Sequence, residues 1–145
     1  MPGSRFPKFA GLVALLALIT GCRSFERDWQ AAAARPADGL NGRWIGSWQN
    51  TNNTHSGRLR AVLRETKPGG VRARFHATWG RMAGSFRTDL QGRWEGEAWH
   101  FTGRKRIAGF LITTEGTATT RQMNVRYRSA PDTGTFTLHR LEAGQ

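Results

Sequence analysis

From residue 40 onward the sequence predicts an all-β domain, eight short strands closing as a small antiparallel up-and-down barrel. Three observations predict it. Apolar and polar residues alternate with a period of two through most of residues 40–141, and no apolar repeat of helical period outlasts one turn. Clusters of Gly, Pro, Asn and Asp interrupt that alternation at short, even intervals. Large rings recur on one face of several strands, and closure buries that face while removing both sheet edges. A two-sheet sandwich fits the same pattern and stays open at this stage.

Residues 41–49 set Trp44, Gly46 and Trp48 against Arg43, Ile45 and Ser47, and the polar run 50–57 reads as a loop. Residues 58–66 alternate Leu59, Ala61 and Leu63 with Arg58, Arg60 and Arg64. After the turn Lys67-Pro68-Gly69-Gly70, residues 71–79 set Val71, Ala73, Phe75, Ala77 and Trp79 against Arg72, Arg74, His76 and Thr78. Residues 82–91 carry Phe86, Thr88 and Leu90 inward. Gly92 reads as the turn into residues 93–101, with Trp94, Gly96, Ala98 and His100 facing in and Glu95, Glu97 and Trp99 facing out. A basic turn, Gly103 to Arg106, leads to residues 107–114, which are apolar on both faces. Glu115-Gly116 reads as the turn into residues 117–128, whose apolar set is Met123, Val125 and Tyr127. Beyond the turn at 129–132, residues 133–141 place Gly134, Phe136, Leu138 and Arg140 on one side.

Residues 1–21 read differently. Arg5 and Lys8 precede an apolar run from Ala10 to Ile19, about half of the ~20 residues that a membrane-spanning helix needs and a normal core for a signal peptide. Ile19-Thr20-Gly21-Cys22 resembles a lipobox, the signature of bacterial lipoprotein precursors. That resemblance implies cleavage before Cys22 and acylation of its thiol, with palmitate-type chains anchoring the mature protein in a membrane. Cys22 is the sole cysteine, so no internal disulfide forms, and lipidation explains the thiol. The expected location is the cell envelope, and Arg23 after the cysteine favours the outer membrane of a two-membrane host. Residues 22–39 then form a lipidated tether, and residues 40–145 the barrel domain. Ser24 to Ala34 suits two helical turns, with Ser24 as N-cap and Pro36 and Gly39 ending them. So short a helix is marginal alone. It either packs on the domain or frays, leaving Phe25 and Trp29 to rest at a membrane interface.

The chain carries 22 basic and 10 acidic residues, a formal charge of +12, and 19 of the basic residues are Arg. Losing residues 1–21 removes Arg5 and Lys8 but no acid, which leaves 124 residues at +10, enough for one compact domain. Arg58, Arg60, Arg72 and Arg74 form an outward ladder on adjoining strands. It reads either as a contact for an anionic lipid, polymer or protein partner, or as a solvated face softened by salt. Rings do not interleave with it, and nucleic acid is not expected.

Gly42-Arg43-Trp44 resembles the Gly-x-Trp of lipocalins and the wider calycin group, which includes avidins and fatty-acid-binding proteins. The resemblance implies that Trp44 closes the barrel floor and that Arg140, near the end of the last strand, packs against it. The lipocalin Thr-Asp-x motif lies late in the chain, whereas Thr88-Asp89 falls in the fourth strand here. The domain is nearer the avidins in length.

Trp44, Trp48, Phe75, Trp79, Trp94 and Tyr127 are the candidate ligand-contacting rings, interleaved with Gly46, Ala61, Ala73, Ala77 and Ala98. Large and small residues together describe either a ring-floored cavity or a barrel filled by its own side chains. Catalysis is not expected. The four histidines lack metal-ligand spacing, the serines sit in no nucleophile motif, and no cofactor is implied. His100 is the inward histidine of this reading. The expected function is an envelope lipoprotein whose barrel binds a small apolar or amphipathic molecule. The alternative is a filled barrel that contacts an anionic envelope polymer or a protein partner through its basic surface.

Overall fold

The computed structural model describes residues 22–107, 109–130 and 132–145, so the expected signal peptide lies outside the described residues. Helix α1 (Cys22–Ala33) precedes strands β1 (Gly42–Asn50), β2 (Ser56–Glu65), β3 (Gly70–Trp79) and β4 (Met82–Glu95). Strands β5 (Ala98–Ile107), β6 (Phe110–Ala118), β7 (Gln122–Arg128) and β8 (Thr133–Arg140) complete the chain. Each strand pairs antiparallel with the next, and β8 returns to β1, closing the expected eight-stranded barrel in sequence order. The sandwich alternative drops out.

The first three strands match the predicted alternation to within two residues at each end. The prediction fails at β4. Gly92 lies inside that strand, which pairs with β3 through Met82–Gln91 and with β5 through Leu90–Glu95. At this crossing the Gly92 N–H donates to the Gly69 carbonyl at 2.8 Å. A Cβ on Gly92 would collide with the His100 carbonyl, so the glycine permits a close backbone approach rather than a turn. The chain reverses instead at Gly96, whose φ of +63° suits glycine.

This displaced turn shifts the boundaries of β5 and β6. Gly103–Arg106 and Glu115–Gly116, read as turns, are interior to those two strands. It also reverses a face. Trp94 pairs with Trp99 across the hairpin and Arg93 pairs with His100. Trp99 and Phe101 therefore join the core, at 1% and 4% exposure, while His100 faces solvent. With a period of two, a one-residue shift sends each side chain to the opposite face.

Helix α1 is a packed element, not a free tether. It lies across the outside of β1–β4 and begins two residues before the expected cap. Phe25 and Trp29, one turn apart, are buried against the barrel rather than free for a membrane interface. Arg60 stacks over both rings, 5.1 and 5.0 Å from their centroids, and Arg43 lies 5.2 Å from that of Trp29. Arg74 pairs with Asp28 and donates to the Ser24 hydroxyl oxygen, while Arg60 pairs with Glu26 at 3.1 Å. Burying each ring contributes about 1.5–3 kcal/mol, which supplies the stability that a helix this short lacks alone. Among the described residues no helix is long and apolar enough to cross a membrane.

Candidate functional site

The two ends of the barrel differ. At one end Trp44 is fully buried, its indole N–H donating to the Leu40 carbonyl at 3.1 Å. Arg140 stands opposite Trp44 in the β1–β8 register and donates to the adjacent Gly39 carbonyl at 2.5 Å. The implied Trp44–Arg140 pair thus forms as register neighbours, but both side chains hold the segment before β1 by its carbonyls. The cation–ring contacts among the described residues involve Phe25 and Trp29 instead. Leu40, Leu63, Trp99, Met123 and Leu138 fill this end completely.

The other end, where the β1–β2, β3–β4, β5–β6 and β7–β8 connections lie, is a mouth. Inward residues here are half-buried: Trp48, Trp79, Phe86, Ile107, Ile112 and Tyr127. Trp48 meets Trp79 edge to face at 6.1 Å, and its indole N–H is fixed on the Thr78 carbonyl at 3.1 Å. Phe75 forms the floor, stacked on Phe86 at 5.0 Å and edge to face with Phe136 at 5.4 Å. Phe86 sits in mid-strand on the inner face and yet keeps accessible surface. Phe86, Trp48 and Tyr127 pack from the mouth side against the buried core.

Besides Lys105, which pairs with Ile112 in register and is exposed, polar groups in the cup are few. Tyr127 lies over Gly134, where a Cβ would collide with the phenol oxygen. Burial, with the Asp132 charge adding to it, pushes the phenol up to about 12, so it stays a neutral donor and acceptor. Its register neighbour Thr114 has a buried hydroxyl without a hydrogen-bond partner among the described residues. Asn50 is buried at the rim and donates to Asp132, whose carboxyl burial pushes up against that bond. Beyond Leu90 and Gly103, β4 and β5 cease to pair, which loosens the wall beside Phe86. The arrangement can enclose an apolar body and offer it two hydroxyls.

The predicted rings separate accordingly. Trp48, Trp79 and Tyr127 wall the cup, and Phe75 floors it at 1% exposure. Trp44 belongs to the sealed end. Trp94 shares a face with Trp99, but the β4–β5 hairpin carries it past that end, leaving it 43% exposed and away from the cup. Sequence reasoning placed Phe86 and Phe136 inward without assigning them to the site, and missed Ile107, Ile112 and Thr114. The displaced turn hid the last three.

The arginine ladder is partly internal. Arg60 and Arg74 hold α1, Arg72 pairs with Asp89 at 3.1 Å, and Arg58 is exposed. The ladder is therefore not a continuous anion-contact face. His76, on the same outer face, is buried with Nδ1 2.8 Å from the Ser85 hydroxyl and the Phe25 ring stacked on it. This covered pair serves the helix contact. Among the described residues no group of three or more His, Cys, Asp or Glu is placed to hold a metal.

No protein-family model matches the chain, and no curated protein matches it in sequence. Its fold is similar to that of designed β-barrels. A de novo designed fluorescence-activating β-barrel superposes with a TM-score of 0.51 at 16% identity, over 73% of this chain and 96% of the design. A redesigned barrel, mFAP1, bound to DFHBI, gives 0.54 at 11% identity, over 70% of this chain and 94% of the design.

A separate concavity of about 900 Å³ runs across the outer face of β4–β8. Arg93, His100, Thr102, Glu115, Asn124 and Arg126 line it. It is wide and open to solvent, and its lining mixes these polar side chains with Phe101, Val125 and Phe136.

Proposed function

We propose that this is an envelope lipoprotein, anchored through acylated Cys22, whose barrel holds a small apolar or amphipathic molecule in its mouth. One observation carries the ligand reading. The inward rings of the mouth half keep accessible surface while the opposite end is sealed by Trp44, Leu40 and Trp99. A barrel filled by its own side chains would bury both halves alike. The fold likeness to designed barrels, one of them bound to DFHBI, agrees with this reading. Anchoring rests on the lipobox-like Ile19-Thr20-Gly21-Cys22 alone. The basic-surface alternative loses ground because α1 already occupies Arg60 and Arg74.

Native mass spectrometry of residues 23–145, purified from the expressing cells, tests the cup. The expected spectrum shows an extra mass that disappears on denaturation. A bare polypeptide mass, together with tryptophan fluorescence indifferent to fatty acids and other hydrophobic probes, would overturn the ligand reading. Metabolic labelling with a palmitate analogue, lost on Cys22→Ala, tests the anchor.

A further inference from the structure

Charge is unevenly placed along the barrel axis. Around the mouth, Arg81 lies in the β3–β4 turn, Arg104, Lys105 and Arg106 end β5, and Arg128 ends β7, all exposed. Among the described residues of the mouth turns the one acid is Asp132, half-buried and bonded by Asn50. At the sealed end exposed acids and bases balance instead: Asp38, Glu65, Glu95, Glu97 and Glu142 stand among Arg35, Arg64, Lys67, Arg93 and Arg121.

Two of the three large exposed hydrophobics among the described residues lie at the mouth. Met82 (40% exposed) begins β4 beside Arg81, and Phe110 (38%) begins β6, across the turn from Arg106. The third, Trp94 (43%), lies at the sealed end between Arg93 and Glu95. Apolar tips ringed by Arg and Lys fit a surface with an anionic outer layer and an apolar interior.

Helix α1 agrees with this direction. Phe25 sits on His76 toward the mouth half of β3, and Trp29 sits by Arg43 near the sealed end. The helix therefore runs from mouth to floor, and residue 22, where its lipid would be attached, is on the mouth side of Phe25. An anchor there holds the mouth, not the sealed end, toward the bilayer.

We propose that the mouth rim, with Met82 and Phe110 ringed by Arg81, Arg104, Lys105, Arg106 and Arg128, docks on an anionic lipid bilayer. Docking does not require a ligand in the cup, so the two readings fail separately. In the docked state the cup opens directly onto the lipid phase.

The test uses the full chain mixed with vesicles and an environment-sensitive dye on Met82→Cys, Phe110→Cys or, at the sealed end, Thr120→Cys. The unsubstituted chain, labelled in parallel, corrects for any signal from Cys22. Attachment to neutral phosphatidylcholine vesicles reports on the anchor alone. On vesicles containing phosphatidylglycerol, dye at 82 and 110 is expected to shift to shorter wavelength while dye at 120 stays water-like. Arg104→Glu with Arg106→Glu is expected to reduce the docked fraction at least about tenfold, with unchanged circular dichroism. Water-like emission at 82 and 110 on anionic vesicles overturns the proposal. So does an equal shift at all three positions, or one that survives the double charge reversal.

Discussion

The rings of Phe25 and His76 lie stacked with centroids 5.1 Å apart, and Ser85 holds the imidazole through Nδ1 at 2.8 Å. A contact between a helix ring and a strand imidazole thus helps to fix α1 on the barrel. Burial, with the Arg60 charge second, lowers the His76 pKa, and Glu26 opposes them.

That direction gives stability a pH dependence. Above the ordinary value of 6.5 both folded and unfolded chains carry a neutral imidazole, and this site adds no slope. As pH falls below 6.5 the unfolded chain takes up a proton that the folded chain does not, so stability declines until the lowered folded pKa is reached. Urea midpoints are expected to fall between about pH 7 and pH 5, and His76→Asn is expected to flatten that fall. Equal slopes in the two proteins would contradict the assignment.

Helix docking depends on Phe25 most of all. Its side chain is fully buried, and Phe25→Ala removes the stack on His76, the contact with Trp29 and the seat of the Arg60 guanidinium together. The expected cost is about 3–5 kcal/mol of helix docking. Hydrogen exchange separates this local loss from global unfolding. Amides of residues 25–33 should lose protection, while those of β6 and β7, remote from α1, retain it.

Arg140 carries a related burden at the floor. Arg140→Ala leaves the Gly39 carbonyl without its donor and exposes the approach to Trp44. A charge-assisted bond of this kind contributes about 1.5–3 kcal/mol, so denaturant stability should fall by roughly 2 kcal/mol. Trp44 alone still holds Leu40, so the barrel is expected to stay closed, with its near-ultraviolet circular dichroism intact.

Much of this architecture was legible in the residues, and the failures share one cause. The inner faces of β1–β3 and β8 follow the sequence alternation, and there the inward sets came out correctly, although α1 covers part of the outer face of β1–β3. Gly92 and Gly116 misled because a glycine in a coiled strand and a glycine in a turn look alike in sequence. Each sits where a Cβ would strike the backbone of the neighbouring strand. The rings of α1 were legible as a helical pair but not as a barrel contact. Their partners Arg60, Arg74 and His76 lie on strands whose outer face reads as ordinary solvated surface. The cup was half visible: Trp48, Trp79 and Tyr127 came from alternation, whereas Thr114 and Ile112 needed the true β5–β6 register.

Whether the cup is open space or packed interior is decided by one substitution. Ala77 lies on the inner face between Leu59 and Gly84 in register, half-buried at the mouth-side edge of the core. In a filled core Ala77→Phe would overpack and cost about 1–3 kcal/mol. Placed before an open lumen, the new ring finds room, and the expected loss of stability is below about 1 kcal/mol. The same ring takes the place of a ligand. Affinity for a hydrophobic fluorescent probe, titrated by emission, is expected to fall at least about tenfold, a difference of roughly 1.4 kcal/mol. Trp48 and Trp79 emission should at the same time shift to shorter wavelength as the phenyl group displaces water from their exposed edges. A large stability loss with unchanged probe affinity would instead mark the barrel as filled.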